Sequence, residues 1–169
     1  MIRTVTENDA NAIADIYNHY IINTAITFEE QEVSRFDILE RISAVKDKGL
    51  PWLVAEDESG VIGYAYATEW RNRSAYRFTV ESAVYLSNTT VSKGWGTQLY
   101  NELFSILRRN KIKIIIGGIT LPNVPSISLH EKFGMKKVAH FEDVGFKFGK
   151  WHDVGFWQIK LDTANNSTK

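Results

Sequence analysis

Cysteine is absent from the 169 residues. That absence excludes a disulfide framework, a thiolate-bound zinc and a cysteine nucleophile together. Proline is scarce, at 3. No stretch of eighteen apolar residues occurs, so nothing reads as a membrane span. An excess of either charge is missing too: 20 Lys and Arg stand against 20 Asp and Glu. Nucleic-acid binders normally carry a basic excess, so that class is demoted. Residues 1–6 lack the charged and apolar regions of an export signal, so a cytoplasmic location is expected. No repeat and no linker rich in Gly, Ser or Pro divides the chain. One domain over 1–161 is expected, with 162–169 as a flexible, solvated tail. What is present is ordinary globular composition, 44% hydrophobic. The 5 Trp, 7 Tyr and 9 Phe are many for one domain, so several are expected to crowd a ligand cleft or a subunit contact.

Periodicity sketches the elements in order. Residues 2–5 read as a short strand. Asn8 or Asp9 then caps a helix carrying Ile13, Ile16, Tyr17 and Tyr20 at helical spacing. Ser34 starts a second helix over 36–45, closed by Gly49 and Pro51. Two apolar runs, 52–56 and 61–67, flank a short polar turn and read as an antiparallel hairpin. Another strand covers 78–86. A helix over 97–109 turns Leu99, Leu103, Ile106 and Leu107 inward. Residues 112–119 are nearly all aliphatic, which suits a central strand buried on both faces. A short helix over 125–133 stops at Gly134. Strands over 136–142 and 156–161 complete the set. The order β-α-α-β-β-β-α-β-α-β-β predicts an α/β domain with a mixed sheet and helices on both faces. It lacks the regular alternation of a doubly wound nucleotide fold.

Three places carry chemistry. Ser92-Lys93-Gly94-Trp95-Gly96-Thr97 lies between a strand and a helix. Glycines there let successive N–H groups converge, and the helix adds the positive end of its dipole, which together make a phosphate site. The same residues also make a plain glycine cap, and neither P-loop nor Rossmann spacing is present. Leu121-Pro122-Asn123-Val124-Pro125-Ser126 follows the aliphatic strand and leads to His130. Asn123 there is either an N-cap or a ligand contact. Glu81 sits mid-strand between Val80 and Ser82, where a carboxylate is either surface-facing or functional.

The sequence strand, Gly-x-Gly turn and helix, second strand, Asn-x-x-Ser and short helix resembles the GNAT superfamily of acyl-CoA-dependent N-acyltransferases, over essentially residues 2–161. The resemblance implies a mixed, mainly antiparallel central sheet whose two central strands splay apart to admit coenzyme A. It implies that the glycine turn holds the pyrophosphate and that Asn123 bonds the pantetheine arm. The turn departs from the family at Val91, where Gln or Arg is usual. Segments 51–56, 73–76, 79–82, 121–126 and above all the idiosyncratic 145–158 narrow the resemblance to the phosphinothricin N-acetyltransferases. Members acetylate the α-amino group of small amino acids and analogues, including methyl phosphinates and methionine sulfone or sulfoximine. They are commonly homodimers.

On that resemblance, Glu81 is expected to take the ammonium proton of the acceptor and His130 to protonate the leaving thiolate. The backbone around Tyr85 is expected to donate to the tetrahedral oxygen. Acetyl-CoA is the expected co-substrate, without a metal. Val84, Tyr85, Leu86, Ser92, Lys93, Gly94, Trp95, Gly96 and Thr97 are expected to hold it, together with Asn123 and Ser126. Phe28, Arg73, Tyr76 and Glu81 are expected to hold an amino-acid substrate, Arg73 offering a fork to a carboxylate. Glu29 and Glu30 stand where phosphinothricin-specific members read Arg-Thr, so an anionic substrate side chain is expected to be disfavoured. His152 and Asp153 have no third metal ligand spaced nearby. The aromatics around them, Phe146, Phe148, Trp151, Phe156 and Trp157, are expected at a core edge or dimer contact. Acetylation of another amine (a polyamine or a protein N-terminus) and a non-catalytic coenzyme A sensor are the competing readings. Glu81 with His130 argues against the sensor.

Overall fold

The computed structural model describes residues 1–90 and 94–161. Val91, Ser92 and Lys93 of the glycine turn, and the expected tail, lie outside the described residues. The elements are β1 (Ile2–Thr4), α1 (Ala10–Asn23), α2 (Arg35–Asp47), β2 (Trp52–Asp57), β3 (Gly60–Glu69) and β4 (Thr79–Leu86), then α3 (Trp95–Arg109), β5 (Ile114–Thr120), α4 (Val124–Lys132), β6 (Lys136–Lys147) and β7 (Lys150–Lys160). Their order is the one periodicity predicts. Ser34 caps α2 as expected, its hydroxyl accepting from Asp37 N–H. The last two strands run longer than predicted and join as one hairpin through Phe148 and Gly149, both at positive φ. The register shifts between Phe141 and Gly145, and Asp143 takes a positive φ. Such a bulge breaks the alternation by which a strand is recognised.

The seven strands form one sheet in the order β1-β2-β3-β4-β5-β7-β6. Every pairing is antiparallel except β4 with β5. Strand alternation then divides the apolar residues between two cores. Leu53, Ala55 and Ala65 pack with Leu99, Leu103, Phe104 and Leu107 of α3 on one side. Trp52, Val54 and Tyr64 pack with α1 and α2 on the other. Among the described residues, no helix is long and apolar enough to cross a membrane.

Arg3 ties the sheet edge to the first helix. It donates two 2.8 Å hydrogen bonds to the buried Asp9 and a 2.9 Å bond to Glu56. The Arg3 guanidinium holds the Asp9 carboxyl below the usual carboxylate range. A depressed folded-state pKa contributes stability above the unfolded value and loses it as pH falls through the folded one. Asp9→Asn should therefore melt below wild type at pH 7. The gap should shrink as pH falls below about 4, the ordinary aspartate value. Thermal unfolding followed by circular dichroism at both pH values measures this.

Candidate active site

The parallel pairing of β4 and β5 lasts only from Thr79–Ile114 to Glu81–Ile116. Beyond that point β4 stays with β3 as far as Leu86, and β5 stays with β7 as far as Thr120. The two strands diverge, and a wedge opens in the middle of the sheet. Two cavities of about 300 and 540 Å³ fill it, sharing Ile26, Val84, Tyr85, Asn123 and Ser126.

Hydrogen-bond parity decides which backbone groups face the wedge. Ser87 N–H donates to Ile62 at 2.8 Å and Trp70 N–H to Thr79 at 3.3 Å. Antiparallel bonding alternates by residue, so the odd residues of β4 bond to β3, and Tyr85 is opposite Tyr64. The even residues Ser82, Val84 and Leu86 turn their N–H and C=O toward the gap. Leu86 C=O already accepts from the Tyr20 hydroxyl at 2.6 Å. Of the backbone around Tyr85, expected to supply a donor, it is the Val84 N–H that faces the gap, while the Tyr85 N–H is turned to β3. The Tyr85 side chain instead packs against Tyr17, Tyr20 and Tyr64.

Glu81 lies at the apex of the wedge, half-buried, with no hydrogen bond or ion pair among the described residues. Its Oε1 and the Phe156 ring both lie over Gly118, where an added Cβ would come within 3.0 and 3.1 Å of them. Burial pushes the Glu81 carboxyl above the ordinary glutamate value, and Arg71 opposes this only in part. An accessible carboxylate with a raised pKa is what a general base requires.

His130 is buried on the opposite face of β5, where its ring occupies the space of a side chain at Gly117. Its Nδ1 lies 2.7 Å from the Ser126 carbonyl oxygen, which can only accept, so Nδ1 carries the proton. Nε2 then accepts from the Tyr100 hydroxyl at 3.1 Å. Burial lowers the pKa of His130 below the ordinary histidine value, against the pull of Ser126. Neutral His130 thus shows no N–H to the cavity. The acid role expected of it would need a second proton, which burial disfavours.

The other wall joins glycines, the N-terminus of α3 and a cation along the larger cavity. Gly94 caps α3 at φ 81°, a conformation side chains rarely adopt. Gly96 brings the start of α3 against Leu129 and Leu86. Thr97 joins them on the larger cavity, and Trp95 packs into the core. Lys132 donates to Thr97 Oγ1 at 3.3 Å, which puts a cation beside the α3 N-terminus. Asn123 caps α4 through its carbonyl oxygen, 3.2 Å from Ser126 N–H. It also lines both cavities.

The expected substrate residues are less well gathered. The loop between α1 and α2 places Ile26, not Phe28, on the cavity wall. Phe28 sits on Gly145 and 6.1 Å from His152. Arg73 and Tyr76 are exposed at a 3-10 turn outside both cavities, and the cation that acts on Glu81 is Arg71. Glu29 is not a loose negative charge: Arg41 donates two 2.9 Å bonds to it and the Tyr17 hydroxyl a third at 2.8 Å. Lys147, buried, holds the same loop by donating to Thr27 C=O at 2.8 Å. His152 donates to Lys147 C=O, and Asp153 pairs with His140. Trp157 is in the core, Phe156 flanks Glu81, and Phe146, Phe148 and Trp151 stay exposed. Sequence reasoning missed Tyr66, Thr68 and Tyr100 as wall residues, and it missed the pair Gly117-Gly118. The pair did carry a signal: two glycines inside an aliphatic strand mark the close approach of other groups.

The chain matches the Acetyltransferase (GNAT) domain family over residues 2–155. It is 40% identical over 157 residues to a phosphinothricin N-acetyltransferase of Streptomyces viridochromogenes, covering 93% of this chain and 85% of that one. It is 36% identical over 161 residues to an L-methionine sulfoximine/L-methionine sulfone acetyltransferase of Salmonella typhimurium, covering 95% and 94%. The fold superposes with a TM-score of 0.92 on a GNAT phosphinothricin acetyltransferase of Sinorhizobium meliloti solved with acetyl-CoA, at 37% identity over 95% of this chain and 88% of the other.

Glu81 should reveal its burial in stability. A carboxyl whose folded-state pKa is raised destabilises the fold above that pKa, and the penalty is absent below the unfolded value. Glu81→Gln should therefore raise the melting temperature at pH 7.5 and leave it near wild type at pH 4. Differential scanning calorimetry checks both values.

Proposed function

This chain belongs to the GNAT acetyltransferase family and is an acetyl-CoA-dependent N-acetyltransferase; we propose that its acceptor is the α-amino group of a small amino acid or amino-acid analogue. The observation that carries this reading is the unpartnered Glu81 carboxylate at the apex of the β4–β5 wedge, with coenzyme-binding features on one side and an acceptor-sized cavity around it. Relatives that act on phosphinothricin and on methionine sulfoximine or sulfone support the acceptor class.

The residues present fit acetyl-CoA. The Val84 C=O turned to the gap suits an amide of the pantetheine arm, as does the Asn123 amide. The positive end of α3, Gly94, Gly96 and Lys132 suit a pyrophosphate. Bound acetyl-CoA supplies the thioester carbonyl carbon that the amine attacks. Glu81 takes one proton from the acceptor ammonium, directly or through water. Val84 N–H donates to the carbonyl oxygen as it gains charge. The amine nitrogen sheds its second proton as the amide forms, and that proton balances the departing thiolate. His130 keeps Ser126 and Tyr100 in place on the thiolate side of β5. Arg71, whose charge acts on Glu81, would receive an acceptor carboxylate.

A homodimer is part of the same reading. Phe146, Phe148 and Trp151, 54%, 57% and 62% exposed, support it as an apolar surface on the β6–β7 hairpin. So is a cytoplasmic location, where acetyl-CoA is available.

Glu81→Gln should keep acetyl-CoA affinity and lose about a hundredfold or more in kcat, the usual contribution of a positioned base. Titration calorimetry and a thiol-release assay with methionine sulfone measure the two. Near-wild-type kcat at neutral pH would remove Glu81 from the mechanism.

A further inference from the structure

Lys137, His140 and Asp153 form a chain of three titratable side chains outside the wedge. Lys137 Nζ lies 2.9 Å from His140 Nδ1, and His140 Nε2 lies 2.7 Å from Asp153 Oδ2. None of the three lines either wedge cavity. Two irregularities in β6 build the arrangement. Side chains alternate along a strand, so residues 137 and 140, three apart, belong on opposite faces. The register shift between Lys137 and Ala139 takes up one residue, which leaves Lys137 opposite Trp157 and His140 opposite Gly155. Trp157 and Gly155 are two apart on β7, so the shift turns Lys137 and His140 to one face, the face that Asp153 shares. Glycine at 155 keeps the space beside Lys137 open: a Cβ there would come within 3.3 Å of Lys137 Cε. The second irregularity, between Phe141 and Gly145, lets Asp143 N–H donate to Asp153 Oδ1 at 2.9 Å.

The partners fix the protons. A carboxylate can only accept, so the ring proton of neutral His140 is on Nε2. An ammonium can only donate, so the bare Nδ1 accepts from Lys137. Asp153 stays charged, because Asp143 N–H and His140 hold its carboxyl below the usual carboxylate range. The order is that of an activated nucleophile: an amine, a base within hydrogen-bond reach, and a carboxylate that orients the base. His130 is buried with its lone pair toward a hydroxyl, whereas His140 is exposed and faces an amine. Lys137 is exposed as well.

We propose that Lys137 is a self-acetylation site, a lysine that takes an acetyl group from acetyl-CoA with His140 as its base. The inference needs only the acetyl-CoA that this N-acetyltransferase uses and is independent of the acceptor class. His140 takes one proton from the Lys137 ammonium, and Asp153 stabilises the imidazolium that results. The neutral amine attacks the thioester carbonyl carbon, so that a C–N bond forms and the C–S bond breaks. The second amine proton leaves as the amide forms and balances the thiolate of coenzyme A. His140 returns its proton to water. The product is a neutral acetyl-lysine, which no longer offers the cation that lies 5.5 Å from the centroid of the Trp157 ring.

The test incubates the purified protein with acetyl-CoA and no acceptor, and follows each lysine over time by fragment-resolved mass spectrometry. Lys136 is the internal reference: it is exposed, one residue away, and makes no hydrogen bond or ion pair among the described residues. Lys137 should be acetylated about tenfold or more faster than Lys136, a modest part of what a positioned base can contribute. His140→Gln should bring Lys137 down to the Lys136 rate. Asp153→Asn, whose amide oxygen can still accept from Asp143 N–H, should fall between the two. Both changes are at partly exposed side chains, and circular dichroism checks that the variants fold as wild type does. Glu81→Gln should leave the Lys137 rate unchanged, because the base here is His140. Equal rates at Lys137 and Lys136 in wild type overturn the proposal, and so does an undiminished Lys137 rate in His140→Gln. A Lys137 rate that collapses in Glu81→Gln overturns direct attack and assigns the modification to the wedge of another molecule.

Discussion

Everything at the site depends on one break in a hydrogen-bond ladder. The parallel pairing of β4 and β5 stops after Glu81 and Ile116, while each strand keeps its other neighbour. Two strand edges in the middle of a sheet are thus left with unpaired main-chain groups, which must find partners elsewhere. Leu86 C=O finds the Tyr20 hydroxyl, and the main-chain groups of Val84 face the gap. The glycines at 117 and 118 belong to the same break. They remove the side chains that would fill the wedge, and admit His130 from one face of β5 and Glu81 with Phe156 from the other.

The charges around the wedge are distributed to match. Glu29, Asp9 and Asp153 sit in hydrogen-bonded pairs that hold their carboxyls low. Glu81 has burial but no bonded partner, and its pKa moves the other way. Folding bears that penalty, and the proposed mechanism uses it, because a base poised nearer to neutrality accepts a proton more readily. His130 shows the converse. Its one proton is committed to Ser126 and its lone pair to Tyr100, and burial moves its pKa down.

Much of this was legible in the sequence, because it rests on period and on local chemistry. The element order followed from alternation, helical spacing, Ser34 and Gly134. Glu81, Asn123 and the Gly94-Trp95-Gly96 turn stood out as chemistry placed where packing alone did not call for it. What was not legible depends on register and on partners distant in the chain. Whether Val84 or Tyr85 turns its N–H to the gap is a matter of parity, and parity is fixed only once β3 and β4 are aligned. That Ile26, not Phe28, lines the cavity, and that Arg71 is the cation acting on Glu81, are differences of one or two residues in loops without a period. Glu29 looked like an uncompensated charge because Arg41, twelve residues away, showed no motif linking the two. The long β6–β7 hairpin was hidden by its own bulge at Asp143.

The central claim is that Glu81 is an unpartnered carboxyl held in the wedge as the base. Site-resolved carbon NMR of the glutamate carboxyls, titrated with acetyl-CoA bound, tests it most directly. The account predicts that the Glu81 signal titrates above the ordinary glutamate range, and that the acid limb of kcat/KM for the acceptor at saturating acetyl-CoA follows that same pKa. A Glu81 signal that titrates at or below the ordinary glutamate value, with the acid limb elsewhere, would contradict it.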